Sequence, residues 1–257
     1  MIKRKRKLVE YALRLKLANL AENIEAILHE AQEKQPTYSE FLLACLSREI
    51  QDREKKNCLC RLKAAGLPMK YDLDLYDCNR TEGMDDRRLR ELRELVWVNQ
   101  AYNLLLIGAS GTGKTFIAAG LVYEVVKAGY KAYLITMEDL LICLKTRDVS
   151  RHAMKTYKRI MKARLLAIDD ATLFPLKRED ALLLFKLVND FQEKTSLIIT
   201  ADKALTQWLE MLGDETITAA LLDRLLYCCE IIRLSGTSYR MENRKTIFSN
   251  QKPDIGT

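Results

Sequence analysis

Histidine is almost missing from this chain, with 2 residues in 257, and that leaves little from which to build an imidazole-ligated metal site. The 7 cysteines, at positions 45, 58, 60, 78, 143, 228 and 229, form no paired CxxC pattern. Cys58 and Cys60 stand too close together for an ordinary zinc pair, so the cysteines read as reduced, mostly buried thiols of a cytosolic protein. Proline (4) and glycine (10) are scarce, and with 48% hydrophobic and 30% charged residues the composition is that of a folded chain rather than a disordered one. No stretch approaches the roughly 18 uninterrupted apolar residues that a membrane-spanning helix requires. Glu10, Arg14 and Lys16 break up any apolar run that could serve a secretory signal, so the expected location is the cytoplasm.

What is present begins with charge. The net charge of +7 is concentrated in two blocks. Residues 1–16 hold seven basic side chains (Lys3, Arg4, Lys5, Arg6, Lys7, Arg14, Lys16) against Glu10 alone. Residues 145–164 hold eight (Lys145, Arg147, Arg151, Lys155, Lys158, Arg159, Lys162, Arg164) against Asp148 alone. Clustering of this kind suits a polyanion such as nucleic acid, while a solvated face is the plainer alternative.

The length allows one sizeable core and a small second domain. Leu13, Leu17, Leu20, Ile24 and Ile27 recur at spacings of four and three, which is one face of a helix closed by Pro36. Thr37-Tyr38-Ser39-Glu40 has the form of a capping box opening a second helix that runs to about residue 65. Gly66-Leu67-Pro68 and the stretch to Gly83 read as a linker. The expected organisation is therefore a small all-α domain over 1–66 and a larger domain over 67–257. In the latter, apolar runs at 103–107, 132–135, 165–169, 197–200 and 231–234 alternate with helical patterns. That alternation predicts an α/β fold with a central parallel five-stranded sheet.

Gly108-Ala109-Ser110-Gly111-Thr112-Gly113-Lys114-Thr115 fits G-x-x-x-x-G-K-[ST] in full, directly after a predicted strand and before the helical run from Phe116. The glycines let successive N–H groups face a phosphate at the positive end of a helix. Lys114 adds a cation at the β/γ-phosphates, and Thr115 offers a hydroxyl to Mg²⁺. About 50 residues further on, Arg164-Leu165-Leu166-Ala167-Ile168-Asp169-Asp170 describes a buried strand ending in two carboxylates. Asp169 would hold the Mg²⁺ shell, and Asp170 would orient and deprotonate the attacking water, since phosphoryl transfer depends on placement and charge neutralisation. The pattern predicts an ATPase using ATP and Mg²⁺, although a small-molecule P-loop kinase carries the same loop.

The C-terminal half is similar to a known family. Leu197-Ile198-Ile199-Thr200-Ala201-Asp202-Lys203, Gly213-Asp214-Glu215-Thr216, Ala219-Ala220-Leu221-Leu222-Asp223-Arg224-Leu225-Leu226 and Gly236-Thr237-Ser238-Tyr239-Arg240 resemble the IstB-like insertion-sequence helper ATPases. These are AAA+ proteins close to helicase loaders of the DnaC type. The residues Leu15 to Asn23, the segment Tyr38-Ser39-Glu40-Phe41 and Trp97 match the same layout, so the resemblance covers nearly the whole chain. It implies a homo-oligomer that assembles on double-stranded DNA with ATP, remodels the duplex, and recruits and activates a cognate transposase. It also implies that Arg224 is an arginine finger reaching a neighbour's γ-phosphate. Arg240 matches the family's Ser-Tyr-Arg and joins residues 108–116 as a nucleotide contact. Too few residues follow the last strand for a full C-terminal lid. One departure stands out. The sensor position, usually Asn, is Asp202 here; an ionised carboxylate cannot donate a hydrogen bond, which leaves Thr200 as the alternative donor.

In the AAA+ layout the 145–164 block lies between the second strand and the strand ending in Asp169-Asp170, where helices line an inner channel. Arg147, Lys155, Lys158, Arg159 and Lys162 would track a phosphate backbone there, with Lys3, Arg4, Lys5 and Arg6 adding an arm. No base-reading motif accompanies them, so binding is expected to be sequence-independent and weakened by salt. The rival readings are a replicative helicase loader, a protein that uses ATP only to assemble, and the kinase, for which no substrate lid is found.

Overall fold

A computed structural model describes residues 2–171, 177–202 and 215–242. The chain divides into two compact units, Met1–Arg61 and Leu62–Thr257.

The first unit is helical: α1 (Ile2–Arg14), α2 (Ala18–Lys34) and α3, which begins at Tyr38 and runs to Ala64. The single helical face expected from Leu13 to Ile27 is corrected here, because the chain turns between α1 and α2. Lys16 sits at φ +59°, and the N–H groups of Lys16 and Leu17 bond to the carbonyls of Leu13 and Ala12 at 2.9 and 2.8 Å. That pairing is a helix-ending Schellman motif with lysine where glycine is usual. Leucine spacing carries straight through the turn, which is why periodicity alone does not reveal it. Side chains of α3 hold the turn in place. Glu49 accepts from the N–H groups of Asn19 and Leu20 at 2.9 and 3.3 Å, and Arg53 bonds both to Glu49 (2.9 Å) and to the Lys16 carbonyl. The Thr37 capping box forms as expected: the Thr37 N–H donates to Glu40 at 2.8 Å, and the Glu40 N–H to Thr37 Oγ1 at 3.4 Å.

The second unit is built on a sheet. Its strands are β1 (Thr81–Glu82), β2 (Asn103–Gly108), β3 (Ala132–Thr136), β4 (Leu165–Asp169), β5 (Ser196–Ala201) and β6 (Cys229–Gly236). They lie in the order β1-β6-β2-β5-β4-β3, and β2 to β6 are all parallel, as the alternation of strands and helices predicts. Between them run α4 (Asp86–Arg93), α5 (Val96–Asn99), α6 (Lys114–Lys127), α7 (Met137–Thr146), α8 (Arg151–Ile160), α9 (Arg178–Phe191) and α10 (Glu215–Leu226), and α11 (Tyr239–Glu242) follows β6. Leu105, Leu166, Ile168, Leu197 and Ile199 face one layer containing Leu140, Leu184, Leu187, Phe191, Leu221 and Leu225. Alternate residues, among them Leu104, Leu106 and Leu165, point the other way, and α6 buries Ile117, Leu121, Val122 and Val125. Coverage on both faces explains why the inner strands, β4 and β5 above all, read as unbroken apolar runs.

The stretch from Gly66 to Gly83 is more than the expected linker. Tyr71 packs on Tyr123 of α6 with ring centroids 4.9 Å apart, and Tyr76 stacks on Phe116 at 6.0 Å. The two-residue β1 then pairs antiparallel with Ser235 and Gly236, adding a sixth strand to the expected five. A two-residue strand carries no periodicity to read.

Candidate nucleotide-binding site

Parallel strands end together, and the crevice beyond their carboxyl ends is where such sheets bind ligands. Here β2 delivers Gly108, β4 delivers Asp169, β5 delivers Thr200 and β6 delivers Gly236 to one rim, with β2 between β5 and β6.

The loop 108–115 turns from β2 into α6. Gly111 and Gly113 have φ of +88° and +92°, a region that side-chain-bearing residues rarely occupy. Neighbours close the remaining space: a Cβ on Gly111 would lie 2.0 Å from Ser238 Oγ, and one on Gly113 would lie 2.9 Å from the Tyr76 ring. Ala109 and Ser110 are exposed at the loop's crest, while Thr112 is buried and donates to the Ala109 carbonyl at 2.9 Å. Lys114 is 8% exposed, and its Nζ donates to the carbonyls of Gly108 and Ala109 at 2.7 and 2.9 Å. Burial lowers its pKa, opposed by Asp202, Asp170 and Asp169. A desolvated cation beside a loop whose glycines open the backbone fits a polyphosphate.

The acidic strand end meets this loop. Thr115 Oγ1 donates to Asp169 Oδ1 at 3.0 Å, and Asp169 is 7% exposed. A hydroxyl and a carboxylate oxygen brought together are the oxygen donors a hard cation such as Mg²⁺ prefers, so the residues fit that ion. Asp170 follows in the left-handed region, φ +54°, a conformation costing about 1 kcal/mol in an L-residue. Its pKa is raised, first by burial and next by the neighbouring Asp169 charge. Thr200 is fully buried and bonded to the Asp169 carboxylate and the Asp170 N–H, so its hydroxyl is engaged below the rim. Asp202 is exposed and acts electrostatically on both Lys114 and Asp170.

Arg240 lies in α11, just beyond β6, and its charge lowers the pKa of both Lys114 and Asp170, which places it at the same rim. The Tyr239 N–H donates to the Gly111 carbonyl at 3.1 Å, tying this segment to the loop. Arg224, on α10, lies with its guanidinium 4.2 Å from the centre of the Phe185 ring on α9, and its Nη1 is buried with no hydrogen-bond partner among the described residues. The quoted Lys203, Gly213 and Asp214 lie outside the described residues. Ser238 and Tyr76 wall the loop; Ser238 belongs to the quoted Ser-Tyr-Arg, whereas Tyr76 carries no motif and its one signal is an aromatic in a stretch otherwise read as linker.

The basic candidates separate into two groups. Lys155, Lys158 and Lys162 are exposed, as is Arg151, and spacings of four and three put them on one side of α8 and its continuation. Arg159 and Arg147 are engaged instead: Arg159 donates to the Ala64 carbonyl and covers the Tyr133 ring at 5.2 Å, and Arg147 covers Tyr157 at 4.7 Å. In α1, Lys3, Arg4 and Arg6 are exposed, and Lys5 pairs with Glu25 at 3.7 Å.

The family model described as "IstB-like ATP binding protein" matches residues 11–247. An insertion sequence IS21-like ATP-binding protein of Bacteroides fragilis is 80% identical over 257 residues, which is 100% of this chain and 98% of that protein. An insertion sequence IS21 ATP-binding protein of Pseudomonas aeruginosa is 33% identical over 232 residues, covering 90% of this chain and 88% of that one. Among solved structures, DnaI superimposes with a TM-score of 0.53 at 20% identity, over 65% of this chain and 89% of that one. AMPPCP-bound DnaA from Aquifex aeolicus superimposes with a TM-score of 0.51 at 20% identity, over 65% of this chain and 51% of that one.

Proposed function

Because this chain belongs to the IstB-like ATP-binding proteins of insertion sequences, with an AAA+ P-loop fold, we propose that it is a DNA-dependent ATPase that assists transposition. In this reading it assembles on duplex DNA with ATP, deforms the target and engages the transposase of the same element. The observation that carries the reading is the coincidence of a complete phosphate loop, buried Lys114 and the Thr115–Asp169 pair at one rim, in a chain whose relatives are named for insertion sequences.

Residues 108–113 present backbone N–H groups to the phosphates, and Lys114 exchanges its two carbonyl partners for phosphate oxygens. Thr115 and Asp169 would hold Mg²⁺, which when bound would neutralise phosphate charge. Asp170, exposed at the rim beside Asp169, accepts the proton of the attacking water. Arg224 serves a neighbour's site, so turnover depends on assembly. Phe116 and Arg240 border the nucleotide, and Arg151, Lys155, Lys158 and Lys162 form the face that tracks DNA phosphates in an order set by charge rather than sequence. The likeness to DnaI shows the fold alone, so a helicase-loading role has no observation of its own.

Steady-state ATP hydrolysis with and without duplex DNA tests the proposal. Stimulation by DNA that fades with salt, and that is lost in both Lys114→Ala and Arg224→Ala, is expected. Turnover indifferent to DNA and unchanged by Arg224→Ala would point to a self-contained P-loop enzyme. Lys155→Glu with Lys158→Glu and Lys162→Glu is expected to remove DNA binding and leave ATP binding intact.

A further inference from the structure

Thr200 makes three hydrogen bonds to three successive residues at the end of β4. Its hydroxyl donates to Asp169 Oδ1 at 2.5 Å and accepts the Asp170 N–H at 3.0 Å. Its carbonyl accepts the Ala171 N–H at 2.9 Å. The residue is fully buried, so water offers no substitute for any of these bonds. Asp169 is meanwhile tied to Thr115 through the same Oδ1, and Asp170 stands in a left-handed conformation.

From this geometry we infer that Thr200 is the positioning residue of the acidic pair. One hydroxyl fixes the Asp169 carboxylate through its proton and the Asp170 backbone through its lone pair. The carbonyl of the same residue then pins the step after them. Because one oxygen serves both carboxylate-bearing residues, their relative placement is set by β5 and not by β4, which carries them. The hydroxyl has no proton left for a phosphate, so Thr200 does not take the place of the usual sensor amide; it acts through Asp169 and Asp170. This inference rests on the ATPase reading for its catalytic consequence, while the clamp itself belongs to the ligand-free protein.

Thr200→Val removes the hydroxyl at nearly constant volume, and Thr200→Ser keeps it. Residue-resolved hydrogen exchange on the ligand-free chain reads the clamp directly. The Asp170 amide is expected to exchange about tenfold or more faster in Thr200→Val than in the wild type, with Thr200→Ser close to the wild type. A fluorescent ATP analogue then reads the carboxylates without turnover. Binding in EDTA, which depends on the loop and Lys114, should be unchanged in Thr200→Val, and this also certifies that the variant is folded. The gain in affinity on adding Mg²⁺ should shrink about tenfold in Thr200→Val and return in Thr200→Ser. At saturating ATP, kcat should fall about 10- to 100-fold in Thr200→Val with KM changed far less. Unaltered Asp170 exchange in Thr200→Val would overturn the clamp. Faster exchange with an undiminished Mg²⁺ gain and kcat would overturn the positioning role. A wild type that binds ATP but never hydrolyses it would sink the ATPase reading, while the exchange and Mg²⁺ results would still decide the clamp.

Discussion

The helical first unit and the nucleotide rim of the second treat charge in opposite ways. In Met1–Arg61, Glu30, Glu40, Glu49 and Lys56 are shifted toward their charged forms. Glu30 is lowered to about 2 by hydrogen bonds and attraction from Lys34 and Arg48, and Thr37 lowers Glu40. Asp52 raises Lys56, and in Glu49 burial pushes the pKa up but is outweighed by Arg53 and the two backbone N–H groups. At the nucleotide rim the shifts run the other way: burial lowers Lys114 and raises Asp170. Charges in the first unit contribute to holding its helices, whereas those at the rim are kept at a cost that a charged ligand can offset. The apolar residues tell the same story. Leu42, Leu43, Leu46 and Ile50 of α3 are exposed, whereas β4 and β5 are buried at every position.

The largest expected effect tests the dry core. Leu166→Ala, at a fully buried position of β4, should cost about 3 kcal/mol in chemical unfolding, while Leu46→Ala, 46% exposed on α3, should cost well under about 1 kcal/mol. Similar losses in the two would erase the contrast. Next comes Glu49→Ala, which leaves the Asn19 and Leu20 N–H groups and the Arg53 guanidinium without their carboxylate. A loss of about 2 kcal/mol is expected, with faster amide exchange confined to the start of α2. Uniform exchange changes throughout the first unit would argue against a local clamp.

The smallest effect concerns acid. Glu30 has a folded pKa below its ordinary 4.5, so its contribution is fully present above that value and is lost as pH falls toward about 2. Amides of α2 and α3 should lose protection over that window, more steeply at low salt. Protection that stays flat down to pH 2 would show that these ion pairs hold nothing.

How much of this was legible in the sequence follows from the signals each region carries. The five parallel strands were readable to within a residue or two, because burial on both faces forces unbroken apolar runs at 103–107 or 165–169. The phosphate loop was readable because its chemistry allows few substitutes. The turn at Lys16 was hidden, since its neighbours preserve helical leucine spacing and its stabilising partners, Glu49 and Arg53, lie more than 30 residues away. The wall made by Tyr71 and Tyr76 was equally hidden, being a matter of tertiary contact with α6. Charge counting marked the block from 145 to 164 but could not tell exposed Lys155 from Arg159, which is bonded to the Ala64 carbonyl.

The bond from the Tyr239 N–H to the Gly111 carbonyl, with Ser238 filling the space a side chain on Gly111 would need, makes the loop and the chain beyond β6 a single mechanical part. A rearrangement of the phosphate loop must be felt by Arg240 one residue along, and a pull on that tail must be felt by the loop. The end of the sheet farthest along the chain thus serves as a lever whose short arm rests on the phosphate loop.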